Sequence, residues 1–332
     1  IGAVSAGKPA DVFGRKRLLI FIAALYTLSA LGSALATNWY AFLTFRFIGG
    51  VGVGASSVLG PMYIAEIAPP HLRGRLVSLF QFNVVFGILL AFFSNYLIST
   101  IAEANAWRWM LGVESIPALL FFVLLFRIPP TPRWLVFEGY HEEARRMLEK
   151  LSSKDPDQEL KDIQETLHFE QKKHAEPLFR KKYLIPIVLA FLVAFFNQMS
   201  GINAIMYYAP RIFELAGFAS DAALLQSVMI GFTNLIFTMI GMSVIDKFGR
   251  KKLLLAGSVG MIVFLGLTSH TLLGASQGSP LMVGYLIGFI GFFAFSQGAV
   301  IWVYISEVFP NKVRAKGQTL GSFTHWFMAA VV

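Results

Sequence analysis

Four hydrogen-bonding side chains, Asn197, Gln198, Ser200 and Asn203, crowd into seven residues of "FFNQMSGINAIMYYAPRIF" (195–213), inside an uncharged run from Tyr183 to Pro210. Amides and hydroxyls do not ionise near neutrality, so their chemistry is recognition: each amide carries donors and an acceptor together, a match for the hydroxyls of an uncharged polyol. The run is long enough to cross a bilayer, where one polar residue serves as helix glue but four clustered ones require water, partners or a ligand. On a regular helix Gln198 and Asn203 diverge by about 140°. A break at Ser200 and Gly201 turns both amides toward one cavity, and broken helices near the membrane midplane are where transporters hold substrate. Tyr207 and Tyr208, one turn further on, are placed to close over it.

Charges inside or beside apolar runs supply a second chemistry. Arg46 lies near the middle of a span, an expensive position that marks function by default. Glu114 lies a turn or two into its own helix, from which it reaches water. Glu66 and Arg73 stand seven residues apart, as do Glu307 and Arg314. In continuous helix that is about two turns on one face, although Pro69, Pro70 and Pro310 interrupt it. Pairs of this kind lock two helix bundles together on one side of a membrane and separate when that side opens.

Bond-making chemistry is not indicated. "GGVGVG" (49–54) lacks the G-x-G-x-x-G spacing and follows no strand; Gly50 and Gly54 instead form a small-xxx-small pair suited to close helix packing. His71, His141, His168, His174, His270 and His325 show no metal-ligand spacing, cysteine is absent, and G-x-S-x-G, H-E-x-x-H and P-loop patterns are missing. An enzyme is not expected, and no cofactor or metal is implied.

The elements that must position these residues are membrane helices. The chain has 332 residues, 56% hydrophobic and only 14% charged, with mean hydropathy +0.63, where a soluble domain carries about 25% charged residues. Its apolar runs predict eight spanning helices near residues 18–36, 40–66, 76–100, 109–126, 183–215, 222–245, 253–273 and 281–306, each against a need of roughly 20 residues. Arg46 is embedded in the second. The net charge of +9 comes from 28 Lys and Arg, of which Arg46 lies in a span and Arg108 and Arg211 near one set of loops. The rest share the opposite side, and basic residues mark the cytoplasmic face. The basic balance is therefore topological and not a nucleic-acid footprint.

Two segments recur. "DVFGRKR" (11–17) matches "DKFGRKK" (246–252), and "YIAEIAPPHLRGR" (63–75) matches "YISEVFPNKVRAK" (304–316), at offsets of 235 and 241 residues. Parallel repeats of this sort are a transporter signature. The chain thus divides into an N-terminal helical bundle over 1–126, a charged linker over 127–182 with amphipathic patterns such as "HEEARRMLEKL", and a C-terminal bundle over 183–332. Residues 1–6 read as the tail of an earlier helix and 317–332 as the start of a later one, so a truncated piece of a longer protein is expected; no initiator Met or signal peptide is present.

"ADVFGRKR", "RFIGGVGVGASSVLGPMYIAEIAPPHLRGR", "PPTPRWL", "NQMSGINAIMYY", "DKFGRKK" and "WVYISEVFPNKVRAKGQ" together resemble the sugar porter family of the major facilitator superfamily, along the whole chain. The resemblance implies an all-α membrane fold of two pseudo-symmetric bundles, here from the end of the second helix to part of the eleventh. It implies alternating-access transport of a monosaccharide, by a monomer in the bacterial inner membrane with the linker cytoplasmic. Sugar contacts fall by resemblance to Gln81, Gln198, Asn203, Asn234 and Trp302, with Val84 and Ile88 shaping the wall; an indole suits the apolar C–H face of a sugar. Asn197 stands where many members have Gln, and His325 where others have Asn or Gln, so the identity of the sugar is open. Arg15, Arg133, Asp246 and Arg250 join Glu66, Arg73, Glu307 and Arg314 in a cytoplasmic charge network, in which Thr131 replaces the family's usual acidic residue. Proton-coupled members pair the residue matching Arg46 with an Asp on the first helix. Proton symport and facilitated diffusion share nearly every residue visible in this sequence; a transport-poor sugar sensor and a cyclitol carrier are the other readings.

Overall fold

A computed structural model gives the structure, which describes residues 1–69, 72–102, 105–151, 155–172, 177–215, 217–273, 280–310 and 313–332, with side chains at 73–75, 77, 78, 168–172, 221, 280, 306, 314 and 315 left out. His71, His174 and the side chains of Arg73, His168 and Arg314 therefore lie outside what the structure describes. Every regular element among those described is helical. Among the described residues, eight helical segments are long and apolar enough to cross a bilayer: Arg15–Leu35, Trp39–Ile67, Leu79–Ile101, Ala106–Leu125, Lys181–Leu215, Ala222–Phe248, Arg250–Leu273 and Leu281–Ile305. These are the eight runs that hydropathy predicts, within a few residues at each end.

The chain forms two compact units. The first, residues 1–80 and 105–176, contains α1 (Gly2–Ser5), α2 (Gly7–Phe13), α3 (Arg15–Leu35), α4 (Trp39–Ile67), the start of α5 (Arg73–Ile101), α6 (Ala106–Gly112), α7 (Ser115–Leu125), α8 (Pro132–Phe137), α9 (His141–Lys150) and α10 (Pro156–Lys172). Helix starts follow local chemistry. The Asn38 side chain caps α4 by accepting from the Ala41 N–H at 2.9 Å, and Thr131 caps α8 ahead of Pro132, since both oxygens satisfy N–H groups that the first turn leaves free. Leu19, Ile22 and Ala23 of α3 bury against Leu59 and Tyr63 of α4 and Leu125 of α7. Gly54 of α4 meets the backbone of Ala3 so closely that no Cβ fits, whereas Gly50 has open space around it; of the expected small-residue pair, only Gly54 marks a close approach. In the linker, Leu135, Val136 and Ala144 form a small core with Met147, Leu160 and Ile163, the apolar faces of α8 to α10.

The second unit, residues 81–104 and 177–332, contains the rest of α5, then α11 (Leu184–Met199), α12 (Ile202–Leu215), α13 (Ser220–Phe248), α14 (Arg250–Leu273), α15 (Pro280–Phe293), a π-helical turn (Ala294–Gly298), α16 (Ala299–Glu307) and α17 (Arg314–Val331). Its core joins Met206, Ala209 and Phe213 of α12 to Ile230 of α13 and Leu286, Phe289 and Ile290 of α15. Residues 81–104, which the sequence groups with 1–126, pack in this unit; Leu89 and Phe92 of α5 sit against Gly231 of α13.

Three local features depart from hydropathy. The expected helix over 109–126 is two helices that meet at Val113 and Glu114. The expected helix over 281–306 contains the π-helical turn. Glu66 and Arg73 do not share one helix face, because α4 ends at Ile67 and α5 begins at Arg73; α16 and α17 separate Glu307 from Arg314 in the same way. Proline cannot donate to the helix ladder; Pro69 stands two residues past the end of α4 and Pro310 three past the end of α16.

Candidate functional site

The break between α11 and α12 falls where the sequence places it. Ser200 closes α11 with its Oγ donating to the Asn197 carbonyl at 2.6 Å. Gly201 follows at φ +80°, a left-handed conformation that only glycine adopts without strain. The turn swings Asn203 back, so that its Nδ2 donates to Gln198 Oε1 at 2.7 Å. Gln198 Nε2 in turn donates to Asn197 Oδ1 at 3.4 Å and lies 2.9–3.0 Å from both ring nitrogens of His325 on α17. Asn197 Nδ2 donates to Gln297 Oε1 of the π-helical turn at 3.2 Å. Asn197 and Gln198 are 1% and 2% exposed, yet every donor and acceptor group of the Gln198 amide is matched, as burial of a polar group demands.

Around this cluster stand two indoles. The Trp302 ring lies 4.8 Å from the His325 ring, and the Trp326 ring 5.4 Å from it, edge to face. The Trp326 Nε1 donor is buried without a partner. Asn234 of α13 is buried. On α5, Ile88 packs against the core of the unit, Gln81 is half-buried and Val84 is exposed; none of the three is hydrogen-bonded to the amides. Tyr207 and Tyr208, one turn past Asn203, are both exposed. The arrangement presents neutral donors, neutral acceptors and aromatic faces with no charged side chain among its hydrogen-bond partners, which suits an uncharged polyhydroxylated ligand.

In the first unit Arg46 meets Glu114 at 3.5 Å, both side chains half-exposed. Glu114 stands at the junction of α6 and α7, half-exposed as the sequence expects and, in addition, paired with Arg46 of α4, a partnership that hydropathy cannot show.

The repeated motifs build one design twice. Arg15 at the start of α3 bonds Glu66 at the end of α4 at 3.0 Å, Asp11 at 2.9 Å and the Ala10 carbonyl at 3.0 Å. Arg250 at the start of α14 bonds Glu307 at the end of α16 at 2.8 Å, Asp246 at 3.0 Å and the Ile245 carbonyl at 3.4 Å. In each case a cation sits at a helix N-terminus and an anion at a C-terminus, against both helix dipoles by about 0.3–1 kcal/mol apiece, so each charge depends on its partner. Glu66 and Glu307 thus pair within their own unit with Arg15 and Arg250. Arg133 occupies the second position of α8.

Two residues of these clusters, Asp11 and Gln297, escape a sequence reading, as does the pairing of Glu114 with Arg46. Asp11 carries the signal of its repeat partner Asp246. Gln297 carries none, because its position depends on the π-helical turn. Glu114 is the one acid within the α6–α7 span and so the only partner that span offers Arg46.

The family described as "Sugar (and other) transporter" matches residues 1–332. A glucose transport protein of Synechocystis sp. is 39% identical over 355 residues, an alignment that spans 100% of this chain and 76% of that protein. The D-xylose-proton symporter of Escherichia coli is 36% identical over 350 residues, spanning 98% and 71%. Among solved structures, the inward open conformation of the xylose transporter XylE from E. coli superposes with a TM-score of 0.85 at 32% identity, covering 99% of this chain and 74% of that one. Its partially occluded inward open conformation gives 0.84 at 33%, covering 99% and 76%.

Proposed function

We propose that this chain, which belongs to the sugar porter family of the major facilitator superfamily, binds a monosaccharide at the α11–α12 break and moves it across the membrane by alternating access in symport with protons. The observation that carries the reading is the charge-free amide and imidazole cluster beside Trp302 and Trp326, built on a broken membrane helix. Related proteins that carry glucose, xylose, arabinose and galactose support the substrate class, and several of them are named proton symporters. Asn203 provides a hydrogen bond to a sugar hydroxyl and Gln198 a further one through the second lone pair of Oε1, Trp302 stacks on the C–H face, Asn234 and Gln81 complete the polar lining, and Tyr207 and Tyr208 close the site. The cytoplasmic charge clusters around Arg15 and Arg250 act as the gate.

Proton coupling falls to the Arg46–Glu114 pair. A proton taken up on the Glu114 carboxylate neutralises it and releases Arg46; its loss restores the pair, so the two states differ in what Arg46 can hold. The carrier works as a monomer in the bacterial inner membrane. Uptake of labelled hexoses and pentoses into liposomes, with and without an inward proton gradient, tests the proposal. Accumulation above equilibrium only with the gradient, lost in Glu114→Gln while gradient-independent exchange persists, is the expected outcome. Equilibration indifferent to the gradient makes the chain a facilitator, and binding without uptake makes it a sensor.

A further inference from the structure

The amides at the helix break form a directional chain. Asn203 Nδ2 donates to Gln198 Oε1, Gln198 Nε2 to Asn197 Oδ1, and Asn197 Nδ2 to Gln297 Oε1. Head-to-tail amides polarise one another in the same sense. An amide nitrogen only donates, so the His325 nitrogen that receives the Gln198 Nε2 proton is the unprotonated one of a neutral imidazole. The chain ends differ. At one end Asn203 Oδ1 is an acceptor with no hydrogen-bond partner among the described residues; at the other, Gln297 has its oxygen occupied and its NH2 unclaimed.

Gln297 reaches this position through an irregular backbone. The five-residue π-helical turn Ala294–Gly298 widens the helix and rotates Gln297 relative to a regular helix, and such turns concentrate at functional positions. It is held from two sides by glycines. A Cβ on Gly241 of α13 would collide with the Phe295 carbonyl, and one on Gly257 of α14 would collide with the Ser296 side chain. Ser296 is fully buried and its Oγ donates back to the Phe292 carbonyl at 2.7 Å. Neighbouring helices therefore leave room for this turn, and the turn delivers one further amide to the site.

We propose that Gln297 is a specificity-determining residue of the sugar site, anchoring the amide chain through Asn197 and offering its NH2 as the terminal donor to one sugar hydroxyl. Asn197 Nδ2 reaches Gln297 Oε1 at 3.2 Å, so Gln297 extends the chain by one amide beyond α11. This inference rests on the α11–α12 break being the sugar site. It predicts a polarity in substrate recognition. A hydroxyl facing Gln297 is used as an acceptor, one facing Asn203 as a donor.

The test is competition for uptake of the labelled parent sugar by the full-length transporter, using its single-position deoxy and deoxyfluoro analogues, in the wild type and in Gln297→Met. Fluorine accepts weakly and cannot donate. At one position of the wild type the fluoro analogue should therefore compete better than the deoxy analogue; Gln297→Met should weaken the parent sugar about tenfold, the effect of one lost hydrogen bond, and erase that difference at that position alone. Gln297→Glu, which when ionised keeps an oxygen for Asn197 and offers no donor, should reproduce the loss, with thermal melting reporting whether each variant is folded. Inhibition constants unchanged within about twofold, or weakened equally at every position, overturn the proposal. Failure of every monosaccharide to compete in the wild type instead overturns the sugar-site reading on which it rests.

Discussion

The two copies of the charge cluster offer a controlled comparison, because their chemistry is the same and their burial is not. Arg15 and Glu66 are 7% and 11% exposed at their side chains, whereas Arg250 and Glu307 are 28% and 50% exposed. Geometry alone ranks the second pair higher, since Arg250 grips both oxygens of Glu307 at 2.9 and 2.8 Å while Arg15 holds a single oxygen of Glu66. Burial ranks them the other way. Removing one partner of a buried pair strands a charge at a cost of about 3–5 kcal/mol; Asp11 still faces Arg15, so Glu66→Ala should cost about 3. An exposed pair contributes about 0.2–1 kcal/mol, so Glu307→Ala should cost less than about 1. The helix-dipole relief on deleting a C-terminal carboxylate is common to both and cancels. Denaturant titration of each variant in mixed micelles, run as double-mutant cycles with Arg15→Ala and Arg250→Ala, measures both coupling energies. Equal couplings, or a larger one for Arg250–Glu307, would refute the claim that burial outweighs geometry here.

Three further outcomes are expected. Gln198→Ala strands groups on Asn203, Asn197 and His325, while Asn203→Ala strands only Gln198 Oε1, so sugar affinity should fall about 100-fold and about tenfold respectively, read by competition for labelled sugar, with melting temperature as the folding control. Gly257→Ala forces a methyl group into Ser296 and should destabilise by about 1–3 kcal/mol, whereas Gly266→Ala on the same helix meets open space and should be neutral or stabilising by up to about 1 kcal/mol; thermal unfolding of the two variants separates them. In the linker, the hydrogen bond from Arg145 holds the Asp157 carboxyl below its ordinary range. A lowered folded value means that this stabilisation is present above the unfolded pKa and lost as pH falls through the folded one, so Asp157→Asn should speed amide exchange in α9 and α10 near neutrality and leave it unchanged in strong acid.

Much of this molecule was legible in one dimension. Apolar length determined the eight spans, because a bilayer leaves no alternative but a helix for a chain crossing it. The repeats at 11–17 and 246–252 announced the duplicated charge clusters, and Ser200–Gly201 announced the helix break, since glycine there relieves a conformation that other residues resist. The exact pairing of the charges was not legible. Seven-residue spacing set Glu66 and Arg73 on one helix face, but α4 ends at Ile67, and among the described side chains Glu66 meets Arg15, 51 residues away, which the resemblance had grouped with it in one network. Arg46 and Glu114, on different helices, meet only when α4 packs beside the α6–α7 span. Gln297 joined Asn197 across 100 residues because Gly241 and Gly257 leave space for a π-helical turn. Hydropathy and local propensity act along the chain and determine the elements; ion pairs and amide hydrogen bonds act over about 3 Å, and which groups come that close is decided only when the helices pack.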